Sequence, residues 1–503
     1  MSFKPVVLWT DALVYLLVAV VLVLVWHIRR NEYLLAPWRR VGHSASGMAA
    51  LTVLVFFIVI GLLDTVHFRP ATGSGNGNSA VQETAYSVEV LSLLDIIAAP
   101  LRTRVEKTYS APFAAHLYAR ETIDLPGGGQ TREFPRLKYG GAHLQDPEIE
   151  LMPDILAKAA AGAGGGLLLW CVLVSPLAVT LARRTNETFI SALASIQRGT
   201  TSTPWYAICI MLALILLLSG AALALCGSYH IFGTDKVGQD VFYLSLKSIR
   251  TGLVIGTLTT LMMLPFALAL GITAGYFRGW VDDVIQYLYT TLSSIPSVLL
   301  IAAAVLMMQV YIETRPELFD TVAARADLRL LFLCIILGVT SWTGLCRLLR
   351  GETLKLREME YIQAAHAFGV SHWRIISRHI LPNVMHIVLI STVMDFSGLV
   401  LAEAVLSYVG VGVDPSMISF GTMINAARME MAREPMVWWA LLAAFSFMFA
   451  LVLSANLFAD AVQNAFDPRA KTLPKGVRAF RRKKLQKNPE AETPSVKAED
   501  SYL

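Results

Sequence analysis

Tyr361–Asn383, YIQAAHAFGVSHWRIISRHILPN, is a polar, amphipathic stretch wedged between two long apolar runs. A connection between membrane spans needs only a few residues, so a segment of this length has a task of its own. Tyr361, Ala364, Ala365 and Phe368 fall at i, i+3, i+4 and i+7, one stripe of a helix. Gly369 can take the positive φ that ends a helix, and Ser371 is placed to cap the next one. In that second half Val370, Trp373, Ile376 and Ile380 repeat the spacing, and Pro382 suits the first turn of the following span. The pattern predicts a helix–turn–helix lying across a membrane face with an apolar stripe exposed. Lipid headgroups and a protein groove satisfy such a stripe about equally well.

The flanks fix the fold class. Of 503 residues 55% are hydrophobic and only 16% charged, with a mean hydropathy of +0.56, outside the range of ordinary soluble domains. The apolar residues gather in blocks of about twenty, the length that crosses a hydrocarbon core. Nine blocks stand out: 5–26, 45–65, 157–182, 205–227, 250–275, 284–310, 328–347, 386–408 and 437–459. The chain is therefore expected to be an all-α integral membrane protein with about nine transmembrane helices. The first block is too long, and too basic on its C-terminal side, for a cleaved signal peptide.

Orientation follows from lysine and arginine in the short loops. Residues 27–43 carry Arg29, Arg30, Arg39 and Arg40; residues 183–203 carry Arg183, Arg184 and Arg198; the loop holding Tyr361–Asn383 is basic, and so is the tail. Those segments are expected in the cytoplasm, with the N-terminus outside and the C-terminus inside. The net charge of +5 then reports topology, and no nucleic acid is expected as a partner. The five cysteines all lie in or beside spans, so the long outer segment at 66–156 has no disulfide framework.

The chain divides into an N-terminal module at 1–182, with three spans and the outer segment, a six-span core at 183–467, and a charged tail at 468–503 expected to be disordered. Within the outer segment, 79–121 has helical patterning and 122–153 reads as loop. A basic run beside the last span suits a solvated cytoplasmic tail, with membrane lipid as its other partner.

The hairpin resembles the EAA loop of ABC-transporter permeases, with its alanines, glycine and Leu381–Pro382 pair at the family spacing and Gln363 in place of the usual glutamate. More widely, 190–469 resembles the C-type permease subunit of dipeptide, oligopeptide and nickel importers. The matching motifs are Gly233–Asp240 (GTDKVGQD), Tyr276–Asp283 (YFRGWVDD), Ser294–Ser297 (SIPS), Ala402–Val413 (AEAVLSYVGVGV) and Asn456–Arg469 (NLFADAVQNAFDPR). Gln239 stands where the family usually has arginine, and the first 180 residues have no counterpart in the ordinary six-span subunit.

This resemblance implies a six-span type I importer core, a second permease subunit in a heterodimer, two ABC ATPase subunits and an extracytoplasmic solute-binding protein. It makes Tyr361, Gln363, Ala364, Ala365, Phe368, Gly369, Trp373, Arg374, Leu381 and Pro382 the ATPase-coupling residues. Peptides are the implied cargo, with nickel chelates or another small solute as the alternative. The chain has no GxxxxGK[ST], so ATP and Mg belong to the partner subunits; no cofactor and no catalytic residue are expected in this chain.

Inside the spans, Asp395 and Glu403 lie eight residues apart on one predicted helix, and a carboxylate at that depth is a candidate for function. Packing against the partner permease is the competing reading. With Met417 and Met423, from the Asp414–Glu434 segment that resembles an outer gate helix, they form the pathway or gate candidates. His366, His372, His379 and His386 are six or seven residues apart, whereas one helical metal site needs three or four, so no metal is expected.

Overall fold

The computed structural model describes residues 3–71, 86–124, 130–185, 188–199, 201, 203–315, 317 and 321–466. The tail at 468–503, residues 72–85, Gly127–Gly129 and the end of the Asn456–Arg469 motif lie outside the described residues.

Strand β1 (Phe3–Val6) leads into α1 (Trp9–Arg30), a short α2 (Glu32–Val41) and α3 (Ala45–Thr65). Then come β2 (His67–Pro70), β3 (Leu91–Ser92), α4 (Leu93–Ile97), α5 (Ala99–Thr103) and the hairpin β4 (Glu121–Asp124) and β5 (Gln130–Glu133). Next are α6 (Pro147–Thr185), α7 (Phe189–Arg198), α8 (Trp205–Cys226), α9 (Val241–Phe277), α10 (Trp280–Ser294), α11 (Ser297–Glu313), α12 (Val322–Ser341) and α13 (Thr343–Arg357). The chain closes with α14 (Glu360–Ala367), α15 (His372–Ile375), a π-helical turn (Ile376–Ile380), α16 (Leu381–Val409), α17 (Phe420–Glu430) and α18 (Trp439–Phe466).

Seven of these helical units are long and apolar enough to cross a bilayer: α1, α3, α6, α8, α9, α15 to α16 taken together, and α18. The span expected at 284–310 is broken: α10 and α11 meet at 87°, at the Ser294–Ser297 motif, where Pro296 has no N–H to continue a helix. The span expected at 328–347 begins earlier, as α12, and its first turns carry Arg325, Asp327 and Arg329. Those charges explain why α12 is less apolar than its neighbours.

The 66–156 segment departs further from expectation. Of the helical pattern expected over 79–121, the described residues hold only two five-residue helices, α4 and α5, and residues 104–120 are not helical. Ser92 and Asp95 form a capping box at the start of α4, and Pro100 opens α5. The stretch expected as loop at 122–153 holds the β4–β5 hairpin and the first turns of α6.

An antiparallel sheet, β1–β2–β3, with Phe3 opposite Pro70 and Val6 opposite His67, ties the start of α1 to the end of α3. Both ends therefore lie on one side of the molecule, together with the 228–240 loop and α17. The opposite side holds α2, the Tyr361–Asn383 hairpin and the end of α18, where Trp38 packs edge-on against Phe466.

The N-terminal module is woven onto the core. Helix α3 packs against α8, α9 and α18, and α6 runs along α8. The approach of α6 to α8 needs glycine: a Cβ on Gly166 would lie 2.2 Å from the Leu216 carbonyl oxygen, and one on Gly162 2.4 Å from that of Gly220. Small residues let two backbones approach where lipid supplies no hydrophobic drive.

Candidate functional site

On the hairpin side, α14 ends in a Schellman arrangement. The Gly369 N–H donates to the His366 carbonyl and the Val370 N–H to that of Ala365, both at about 3 Å. Gly369 takes φ +72° as the glycine predicted. Ser371 stands at the N-cap position of α15 but its side chain makes no capping hydrogen bond. Helix α15 lasts four residues before the π-helical turn, which sits directly ahead of Pro382 in the first turn of α16. Proline has no N–H and its ring crowds the carbonyl four residues back, so the register changes there.

The base of the hairpin is packed into the core. Ile362, Ile375 and Ile380 are buried with Tyr276, Tyr289, Trp342, Leu345 and Leu349, from α9, α10, α12–α13 and their junctions. Tyr276 Oη lies 2.8 Å from His372 Nδ1, and Asn383 Nδ2 donates to Tyr361 Oη at 3.1 Å, joining the two ends of the loop. The Tyr276–Asp283 motif is the footing: Arg350 holds Asp282 through two hydrogen bonds of 2.5 and 2.7 Å, and Arg357 donates to the Tyr276 carbonyl at 2.7 Å.

The tip is open. Phe368 is 87% exposed and Trp373 78%, with Tyr361, Gln363, Ala364 and Arg374 also exposed, Ala365 and Leu381 half-buried and Pro382 exposed. Gln363 donates to the Glu358 carbonyl at 3.3 Å. The stripe expected through Val370, Trp373, Ile376 and Ile380 is split. Trp373 faces out and Ile380 is buried, because the π-helical turn rotates one against the other. The anchors Ile362 and Ile375 were not singled out in the sequence; Ile362 and Ala365, at i and i+3, were the available signal.

On the opposite face the Gly233–Asp240 motif is a docking floor for the 66–156 segment. Gly233 and Gly238 have φ of +66° and +79°, and a Cβ on Gly238 would meet the Glu106 carbonyl oxygen at 1.9 Å. Asp240 caps α9 through the N–H groups of Phe242 and Tyr243. Its other oxygen lies 2.7 Å from His230 Nδ1, while His230 Nε2 lies 3.5 Å from Glu106. Glu106 accepts from the N–H groups of Lys138, Tyr139 and Gly140 at 2.9, 2.7 and 3.2 Å. Burial would raise the Glu106 carboxyl, but His230 and those three donors bring it down to about 2. Burial would lower His230, but Asp240 and Glu106 raise it to about 9, so it is a buried cation between two carboxylates at neutral pH. Gln239 is exposed and outside this network.

Glu403 lies in the core with its carboxylate accepting from Ser407 Oγ at 2.7 Å and Ser419 Oγ at 2.8 Å. Ser419 is the N-cap of α17, so Glu403 pins the positive end of that helix to α16. Met423, on α17, is buried, with its sulfur 3.3 Å from Ser248 Oγ. Met417 borders a cavity of about 500 Å³ shared by the N-terminal module and the core. The structure thus groups Glu403, Met417 and Met423 around α17 and leaves Asp395 apart. Asp395 is half-buried and has no hydrogen-bond or ion-pair partner among the described residues. Among those residues no group of histidine, cysteine and acidic side chains could hold a metal ion.

Residues 267–472 match the family described as binding-protein-dependent transport system inner membrane component. The oligopeptide transport system permease protein OppC of Mycobacterium tuberculosis is 31% identical over 252 residues, covering 50% of this chain and 80% of that protein. The glutathione transport system permease protein GsiD of Pectobacterium atrosepticum is 31% identical over 245 residues, 49% of this chain and 74% of its own length. The dipeptide transport system permease protein DppC of Bacillus subtilis is 28% identical over 240 residues, 48% and 69% respectively. With several apolar spans and that breadth of coverage, the chain belongs to the binding-protein-dependent ABC permeases of the inner membrane, as a C-type subunit of the dipeptide, oligopeptide and nickel branch.

Proposed function

We propose that this chain forms, with a second permease subunit, the translocation path of an ATP-driven importer of di- or oligopeptides. The single observation that carries the mechanism is the hairpin's two-sided build, with Phe368 and Trp373 exposed on a base held by Ile362, Ile375 and Ile380. Aromatic side chains standing free on a rigid support suit insertion into a groove on a partner. That partner is an ABC ATPase, one for each permease subunit, which binds ATP and Mg. Closure of the two ATPases then pushes the hairpin, and the rigid link to α9, α10 and α13 carries the push to the spans. Access alternates between outward and inward as nucleotide biases a two-state membrane element.

The same reading places the hairpin and C-terminus in the cytoplasm and the N-terminus outside, where a solute-binding protein delivers the ligand. This chain is a transport subunit, and hydrolysis belongs to its partners. The three relatives named above transport, by their names, oligopeptides, glutathione and dipeptides, which supports a peptide cargo. The 1–182 module, the 183–467 core and the 468–503 tail act as anchor, pathway and cytoplasmic extension. Asp395, unpartnered among the described residues, faces the second permease subunit. Uptake of a radiolabelled peptide by a strain deleted for this chain is the test: expression of the chain restores it, and uptake that is the same with and without the chain rejects peptide import.

A further inference from the structure

Helices α11 and α12 and the loop leading to α17 enclose a second cavity of about 390 Å³, lined by Gln309, Glu313, Arg325, Arg329, Asp414 and Ser416 among others. That volume falls in the roughly 300–1,000 Å³ range of small-molecule sites.

The acids in its wall are provided for. Asp414 Oδ1 accepts from the Ser416 N–H at 2.9 Å and its hydroxyl at 2.7 Å. Glu313 accepts from Gln309 Nε2 at 2.8 Å. The cations are held less closely. Arg329 reaches Asp414 and Gln309 only at 3.4 and 3.2 Å, and its buried Nε has no hydrogen-bond partner. The Arg325 side chain is exposed and makes no hydrogen bond or ion pair among the described residues, its charge acting on Asp414 only at longer range. The two arginines are four residues apart on α12, hence on one face.

A buried donor left without a partner carries its full desolvation cost. Two guanidinium groups on one face, with donors to spare, fit a planar carboxylate, which each can grip in a fork. Asp414 and Glu313 balance the two arginines, so a dianion such as phosphate is disfavoured more than a single carboxylate, which the spare guanidinium donors can grip.

We propose that this cavity is a carboxylate site at the outer mouth, where Arg325 and Arg329 receive the C-terminal carboxylate of a peptide passing from the solute-binding protein into the pathway. The assignment rests on the peptide-import reading above. The test is uptake kinetics for one peptide as its free acid and as its C-terminal amide, in cells carrying the native chain, Arg325→Gln or Arg325→Lys, with the solute-binding protein unchanged. Arg325→Gln is expected to raise KM for the free acid about tenfold, with kcat and the amide's KM little changed, and Arg325→Lys to recover part of the loss. An unchanged free-acid KM in Arg325→Gln, or an equal rise for acid and amide, overturns the site while leaving peptide import standing. Absence of peptide uptake with the native chain overturns the import reading and the site with it.

Discussion

Arg250, in the core helix α9, donates to Asp11 Oδ1 of α1 at 2.6 Å, and both side chains are buried. Around this pair Thr10 binds Asp327 of α12, and His67 Nδ1 lies 2.8 Å from the other Asp11 oxygen. One turn away Lys247 lies 2.9 Å from Asp95 and 3.3 Å from Asp64. Three acids of the N-terminal module therefore neutralise two cations of the core's α9. Removing one partner of a buried pair costs roughly 3–5 kcal/mol, so Asp11→Ala should lower the unfolding temperature in detergent sharply. The paired change Asp11→Leu with Arg250→Met should recover most of that loss. A chain beginning at Arg183 leaves Lys247 without its acids and should fail to give a monodisperse protein on size exclusion.

Docking of the 66–156 segment should depend on pH through Glu106 and His230. The folded state lowers Glu106 from 4.5 to about 2, so its contribution is present above pH 4.5 and lost as pH falls through 2. It raises His230 from 6.5 to about 9, so that contribution is full below pH 6.5 and lost as pH rises through 9. Amide hydrogen exchange of residues 106–118, corrected for intrinsic rates, should be slowest between these limits and quicken toward pH 9. His230→Gln should remove the alkaline dependence.

Gly369 tests the hairpin's geometry separately from its contacts. Open space surrounds a Cβ there, so only its φ of +72° penalises a side chain. Gly369→Asn should retain near-native uptake, because asparagine tolerates the left-handed region. Gly369→Ala should cost about 1–2 kcal/mol, and Gly369→Val more. Equal uptake in all three would remove the turn from the mechanism.

Glu403 is expected to serve α17 through its hydrogen bonds. Glu403→Gln keeps an acceptor for Ser407 and Ser419 and should leave the thermal midpoint nearly unchanged. Glu403→Leu leaves buried hydroxyls unmatched, at about 1–3 kcal/mol each, and should lower it. A large loss of uptake in Glu403→Gln at unchanged stability would point instead to a role for the charge.

The hairpin, its glycine hinge and the helical class were legible because periodicity and punctuation are local signals. Phe368 and Trp373 stand exposed at positions the helical spacing marked. What stayed hidden depended on distant partners. Nothing near Arg250 in sequence announces Asp11, and Ile362 reads as one apolar residue among several until α13 packs over it. The π-helical turn before Pro382 was likewise invisible, since the spacing on either side looks like ordinary helix. The 87° corner at Pro296 sat inside an apolar block that hydropathy alone joins into one span. In the 66–156 segment short helices and strands share one stretch, and tertiary docking on Gly233 and Gly238, not periodicity, decides its course.

The most direct test uses proteoliposomes containing the native chain, its partner permease and both ATPases, with the solute-binding protein and a radiolabelled peptide supplied at the outer face. ATP-driven accumulation is measured for the native chain and for the double variant Phe368→Ala, Trp373→Ala. Losing aromatic anchors of an interface costs about 2 kcal/mol or more, roughly thirtyfold in affinity, so accumulation should collapse while the variant still inserts and folds. Accumulation by the double variant at the native rate would contradict the hairpin's coupling role.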